Sequence, residues 1–354
     1  MQKSNNIKLN KNGLIDIYRL FIAIIIMIYH SDSFNFKEIP FKNGFIFVEA
    51  FFALSSYFAI CHFQKKKKEN QNNIIIEVIK YTIKKYRSIF PYVFIVYSIS
   101  FAVIHIFKKD ATFITIIKDI LGLLLIIKTE NSNVLWYLVT MLPTLPIIII
   151  LNQKLSAKMH VLLSSVCVFA YYFITGMYGA VNGPIKYFRA IAGLSIGILV
   201  YYLKLFIDNH INGKEKFFTT IMVLCLACPI VLTAFNFTTT GIPYFYNLIP
   251  YDLSIIMFIV GFALCFSSKT KKLPANKFTN MCSKFSLLIY LTNYNIAEII
   301  NYLCKYITLN TITQYILYFS LTFICSLLLM YVGQIFDKLL KKIEIKIKSP
   351  ICDL

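Results

Sequence analysis

The chain has 354 residues, 58% of them hydrophobic and only 15% charged, yet its formal net charge is +20. Soluble globular chains carry about 25% charged residues, and the shortfall here is acidic, with 36 Lys and Arg against 16 Asp and Glu. This composition excludes a disordered tail, a disulfide-framed secreted domain and a nucleic-acid binder, whose charge must lie on a solvated face.

The basic residues instead lie between long apolar blocks. A helix needs about 20 predominantly apolar residues to cross a membrane, and blocks of that character run over 14–31, 44–63, 88–107, 111–127, 134–151, 160–176, 187–205, 217–235, 251–267, 285–303 and 313–335. The block at 111–127 carries the charged pair Lys118 and Asp119 in its middle, which is costly in lipid but tolerated in a re-entrant or interfacial segment. If that block does not cross, ten spans remain and 27 of the 36 basic residues fall on the side of both termini. This is the cytoplasmic bias expected of Lys and Arg. Eleven crossings would instead turn the basic runs at 204–216 and 269–284 outward.

The expectation is an all-α, polytopic integral membrane bundle of about ten transmembrane helices plus one re-entrant or interfacial helix, with both termini cytoplasmic. Residues 1–13 form a cytoplasmic tail, 14–335 the transmembrane domain and 336–354 a basic cytoplasmic tail. The first block holds Arg19 and His30 and has no small-residue cleavage site, so it reads as a retained helix rather than a signal peptide. The nine cysteines are scattered singly, and the one CxxC (Cys225, Cys228) has no second pair. No metal site is expected.

An ionisable side chain inside a span is a functional candidate. Arg19 and His30 are 11 residues apart, which is three helical turns plus about 20°, so they share a face about 16 Å apart along the axis. The plainer alternative makes Arg19 a positive-inside anchor and His30 an interfacial residue. The second span offers Glu49 beside Ser55 and Ser56, a set that suits either a cavity wall or close helix packing. Lys84, Lys85 and Arg87 precede Pro91 and Tyr92 at the expected mouth of the third span, where they suit an anionic ligand or lipid phosphate. Arg189 either binds an acceptor or anchors at the interface. The segment 236–250 is rich in aromatic and hydroxyl residues (Phe237, Thr238, Tyr244, Tyr246), suited to sugar stacking or to the interfacial belt.

Three local patterns together resemble the membrane-bound acyltransferase family 3, the O-acetyltransferases of bacterial envelope polysaccharides. The first is Ile15-Asp16-Ile17-Tyr18-Arg19, leading into an apolar helix that ends in Tyr29-His30. The second is Phe47-Val48-Glu49-Ala50-Phe51-Phe52-Ala53-Leu54-Ser55-Ser56, and the third Lys84-Lys85-Tyr86-Arg87 ahead of Pro91-Tyr92. Weaker matches follow at Val134-Leu135-Trp136-Tyr137-Leu138 and Lys284-Phe285-Ser286-Leu287-Leu288-Ile289-Tyr290-Leu291. Three positions depart from the family pattern: Glu49 stands for Asp, Ser56 for Gly, and Asn293 for a frequent His. Asn cannot act there as acid or base, although it can hydrogen-bond.

The resemblance implies acyl transfer, with acetyl the expected group, from cytoplasmic acyl-CoA to a hydroxyl of an envelope or exported polysaccharide or its lipid-linked precursor. His30 is the expected general base, and Glu49 and Asp32 are candidates to orient its ring. Arg19, Lys84, Lys85 and Arg87 are expected at the CoA phosphates, and Glu49, Ser55 and Arg189 at substrate. No permanently bound cofactor is implied: acetyl-CoA is a donor substrate, and membrane lipids and the glycan are the partners. The expected location is the bacterial cytoplasmic membrane. A transporter or lipid-linked glycan flippase is the alternative; it predicts broken helices and paired halves. No internal repeat is visible, and Pro143 with Pro146 is the strongest break signal.

Overall fold

The computed structural model describes residues 12–31, 41, 43–68, 74–108, 117, 118, 121, 136–178, 185–234, 248–304, 306, 307 and 309–348. These residues form ten α-helices: α1 Gly13–His30, α2 Phe47–Lys68, α3 Ile74–Lys108, α4 Trp136–Lys154, α5 Ala157–Tyr178, α6 Ile185–His210, α7 Glu215–Ala234, α8 Leu248–Phe266, α9 Lys277–Leu303 and α10 Thr311–Lys348. The fold is all-helical. Among the described residues, six helices are long and apolar enough to cross a membrane: α1, α2, α4, α6, α7 and α10, with α5 and α8 holding shorter apolar stretches. The expected re-entrant segment at 111–127, the tail before residue 12 and the aromatic segment to residue 247 lie outside the described residues, apart from residues 117, 118 and 121.

Two helices run further than their apolar blocks. α3 begins at Ile74 rather than near residue 88, and α10 continues to Lys348 rather than stopping near 335. A transfer-hydropathy window ends where Lys residues begin, but Lys is a good helix former. The helix therefore outlasts the lipid-compatible part, and Lys84, Lys85 and Arg87 lie within α3 rather than ahead of it.

The chain divides into two compact units. The first comprises residues 1–29, 40–72 and 147–286, and its centre is α6, which packs against α2, α5 and α8. From Arg189 to Val200 nearly every residue of α6 is buried, the pattern of a helix enclosed on all sides. Small residues permit this. Gly193 and Gly197 form a small-xxx-small face against α2, as lipid-embedded helices use where backbones approach closely. A Cβ at Gly193 would lie 2.8 Å from both Glu49 Oε2 and Phe52 Cβ. A Cβ at Gly197 would overlap both the Ser56 hydroxyl and the Ala53 carbonyl oxygen. Ser56 is fully buried and donates across this contact to the Leu194 carbonyl at 2.6 Å. Ser56, at the position where the family pattern has a glycine, fits here because Gly197 on α6 leaves room for its hydroxyl.

The start of α1 is fastened within the same unit. Asn12 caps the helix, its Oδ1 accepting from the Leu14 N–H at 3.1 Å, while its Nδ2 donates to the Cys265 carbonyl at 2.7 Å. The Gly13 N–H donates to Leu273 O at 2.8 Å. Gly13 must be glycine for this approach, since a Cβ would meet Thr279 at 2.9 Å and Pro274 O at 3.0 Å. Side-chain capping and close backbone contact together satisfy donors that a helix start leaves without partners.

The second unit comprises residues 30–39, 73–146 and 287–354. In it α10 packs on α3, with Gly333 against the Tyr92 ring, where any Cβ would collide. Thr292 and Ser326 share a hydrogen bond of 2.9 Å between α9 and α10. Tyr137 and Tyr290 meet edge to face at 5.9 Å between α4 and α9. α4 begins at Trp136 and runs unbroken through Pro143 and Pro146 to Lys154.

Gly197→Ala is expected to destabilise the protein by about 1–3 kcal/mol, the usual range for overpacking, read as a lower thermal unfolding midpoint in detergent. Adding Ser56→Gly should not restore it, because the Ala53 carbonyl still blocks the new methyl.

Candidate functional site

His30 is the last residue of α1 and lies in the second unit together with the part of α9 from Leu287 onward. Its Nδ1 is 2.6 Å from Asn293 Oδ1, and Tyr294 meets the ring edge-on at 5.8 Å. Asn293 is fully buried, and its amide nitrogen lies 2.9 Å from Ile289 O and 3.1 Å from Tyr290 O. The residue that orients the imidazole is therefore the asparagine standing where the family pattern often has histidine. Asp32, one of the two expected orienting groups, lies outside the described residues.

Glu49, the other, is committed elsewhere. In the first unit its Oε1 accepts from Arg189 Nε at 2.6 Å and its Oε2 from the Tyr172 hydroxyl at 2.7 Å. Arg189 Nη2 donates to the Phe45 carbonyl at 3.0 Å, and the guanidinium lies over the Phe45 ring at 5.6 Å. The Glu49 side chain is 0% exposed and that of Arg189 3%. The two residues expected to touch substrate from separate places thus form one buried ion pair, with both carboxylate oxygens occupied by protein donors. Ser55 is half-buried one position before the buried Ser56.

Arg19, on α1 in the first unit, is half-buried. Its Nη1 donates to the Ser283 hydroxyl at 2.6 Å, and its guanidinium lies 6.0 Å from the centre of the Phe51 ring. α1 is continuous from Gly13 to His30, so Arg19 and His30 belong to one uninterrupted helix, as their spacing requires. On α3, Lys84 and Arg87 are exposed and Lys85 is half-buried. Residues 84 and 87 stand about 60° apart around the helix, and residue 85 about 100° beyond 84 on the side away from 87.

The sequence did not disclose the polar network of half-buried Gln64 with buried Asn152 and His160. Gln64 donates to Asn152 Oδ1 at 2.9 Å, and the Asn152 amide nitrogen meets His160 Nδ1. Asn152 is 2% exposed and His160 4%. No motif relates these three positions, so only the fold reveals them. Among the described residues, no group of three His, Cys, Asp or Glu side chains is placed to hold a metal ion.

Residues 12–331 match the acyltransferase domain family Acyl_transf_3. The match covers most of the chain, from the cap of α1 through most of the apolar length of α10, and the protein belongs to this family of membrane acyltransferases. No curated protein and no solved structure matches it.

Removing one partner of a buried ion pair costs about 3–5 kcal/mol, because the other charge is left buried and uncompensated. Glu49→Ala and Arg189→Ala are each expected to destabilise by that order in detergent unfolding. The double variant should cost clearly less than the sum, a coupling that distinguishes a structural pair from two independent substrate ligands.

Proposed function

We propose that this membrane acyltransferase is an O-acyltransferase, and specifically an O-acetyltransferase. In this reading it moves the acyl group from cytoplasmic acyl-CoA to a hydroxyl of a bacterial envelope or exported polysaccharide, or of its lipid-linked precursor. The chain would cross the cytoplasmic membrane ten times with both termini inside. The observation that carries this reading is an imidazole held by a hydrogen bond at the end of a membrane-length helix, in a chain of an acyltransferase family.

His30 is the general base. As the acceptor oxygen bonds to the thioester carbonyl carbon, its proton passes to the imidazole. When the carbon–sulfur bond breaks, the proton passes from the imidazolium to the departing CoA thiolate, so the histidine returns to its starting state. A neutral histidine suits both transfers because its reference pKa is about 6.5, close to physiological pH. The cations Arg19, Lys84, Lys85 and Arg87 are assigned on the ground of charge to the polyanionic nucleotide end of the donor. Glu49 and Arg189 serve the reaction as scaffold rather than as ligands, since their polar groups are spent on each other, on Tyr172 and on Phe45.

The transporter alternative predicts a helix interrupted near midplane. α4, which held the strongest break signal, is one continuous helix, and this favours the enzyme reading.

The test is glycan mass spectrometry of cells with and without the chain. Loss of an acetyl mass from a surface or exported glycan is expected when the chain is absent. His30→Ala, confirmed as inserted in the membrane, should lower acetylation by about 10²–10⁴-fold, the usual contribution of a general base. Wild-type acetylation by His30→Ala would overturn the mechanism.

A further inference from the structure

Asn293 fixes more than the direction of the His30 ring. Its amide nitrogen faces two backbone carbonyls, Ile289 O at 2.9 Å and Tyr290 O at 3.1 Å. Carbonyl oxygens only accept hydrogen bonds, so the NH2 group must lie on that side. The amide oxygen is then the atom 2.6 Å from His30 Nδ1. An amide oxygen has no proton to give, so the proton in this contact belongs to Nδ1. In a neutral imidazole only one nitrogen carries a proton, and the basic lone pair is left on Nε2. The α9 backbone thus sets, through a fully buried amide, which nitrogen of His30 can accept a proton.

We propose that Asn293 is a positioning residue that holds His30 in its Nδ1–H tautomer, so that Nε2 takes the proton of the acceptor hydroxyl. The proposal rests on the reading of His30 as general base. It also explains why asparagine serves where the family pattern often has histidine. What the position must supply is an acceptor atom fixed in space, and an amide locked by two carbonyls does so without titrating. A carboxylate there would set the same tautomer but would also hold the imidazolium once formed. An uncharged amide leaves that proton easier to pass to the thiolate.

The first test is independent of turnover. The protein is labelled with 15N-histidine in lipid nanodiscs, and the His30 resonances are assigned by their loss in His30→Gln. The ring nitrogens of His30 should show a protonated Nδ1 and an unprotonated Nε2. In Asn293→Leu, which keeps side-chain bulk but removes the acceptor, this signature should collapse toward the other tautomer or a mixture. The second test is acetylation in cells by mass spectrometry, at equal membrane levels of each variant. Asn293→Leu should lose about tenfold or more, and less than His30→Ala loses. Asn293→His, which can place an acceptor nitrogen where Oδ1 stands, should recover much of the loss.

An unprotonated Nδ1 on His30 in the wild-type protein would overturn the proposal. So would wild-type acetylation by Asn293→Leu, or a loss in that variant with the tautomer unchanged. If His30→Ala itself acetylates normally, the general-base reading fails instead, and the nitrogen spectra still report whether Asn293 sets the tautomer.

Discussion

The first unit depends on one electrostatic constraint. Glu49 and Arg189 are both withdrawn from solvent, and each charge pays a desolvation penalty of several kcal/mol that only good geometry offsets. The geometry is good because every member is held by another element. α2 supplies the carboxylate, α6 the guanidinium and α5 the Tyr172 hydroxyl, while the backbone just before α2 supplies the Phe45 carbonyl. A pair this enclosed tolerates little sliding between helices, so it sets the register of α2 against α6. The glycines at 193 and 197 make the approach possible, and the Ser56 hydroxyl on the Leu194 carbonyl ties the same two helices one to two turns further on. α5 and α8 then pack on a central helix whose position is already decided.

The second unit is organised around polar contacts of a different kind. Where the first buries opposite charges, three contacts between helices of the second join uncharged groups: a threonine to a serine, one tyrosine ring to another and a histidine to an asparagine. Such contacts define direction without fixing a charge. That suits a group whose role in the proposed reaction is to gain and lose one proton in each cycle.

Much of the fold was legible in the sequence, because a membrane reduces the question to where apolar runs begin and end. α1 starts at Gly13 and α4 at Trp136, within two residues of the apolar blocks expected from 14 and 134. The start of α3 and the end of α10 were hidden because a lysine-rich stretch stops a hydropathy window without stopping a helix. The candidate site was legible only in its parts. Arg19 and His30 could be placed on one helix because 11 residues make an almost whole number of turns. The pairings of Glu49 with Arg189 and of His30 with Asn293 could not be read, since they join positions 140 and 263 residues apart and a single sequence carries no record of which distant residues meet. The close approach of α2 that Gly193 and Gly197 admit could not be read either. Ser56 stands in place of the family's glycine, and only the structure shows that Gly197 on the opposite helix leaves room for its hydroxyl.

The contacts at the two ends of α1 place its completion late in biosynthesis. Asn12 is clasped by Cys265, Arg19 by Ser283 and His30 by Asn293, at separations of 253, 264 and 263 residues. A ribosome adding about 5–20 residues per second needs roughly 13–53 s to cover the longest of these gaps. For that interval α1 holds an arginine without its Ser283 contact and a histidine without its Asn293 contact. Whatever receives the nascent chain must shelter both groups until α9 arrives.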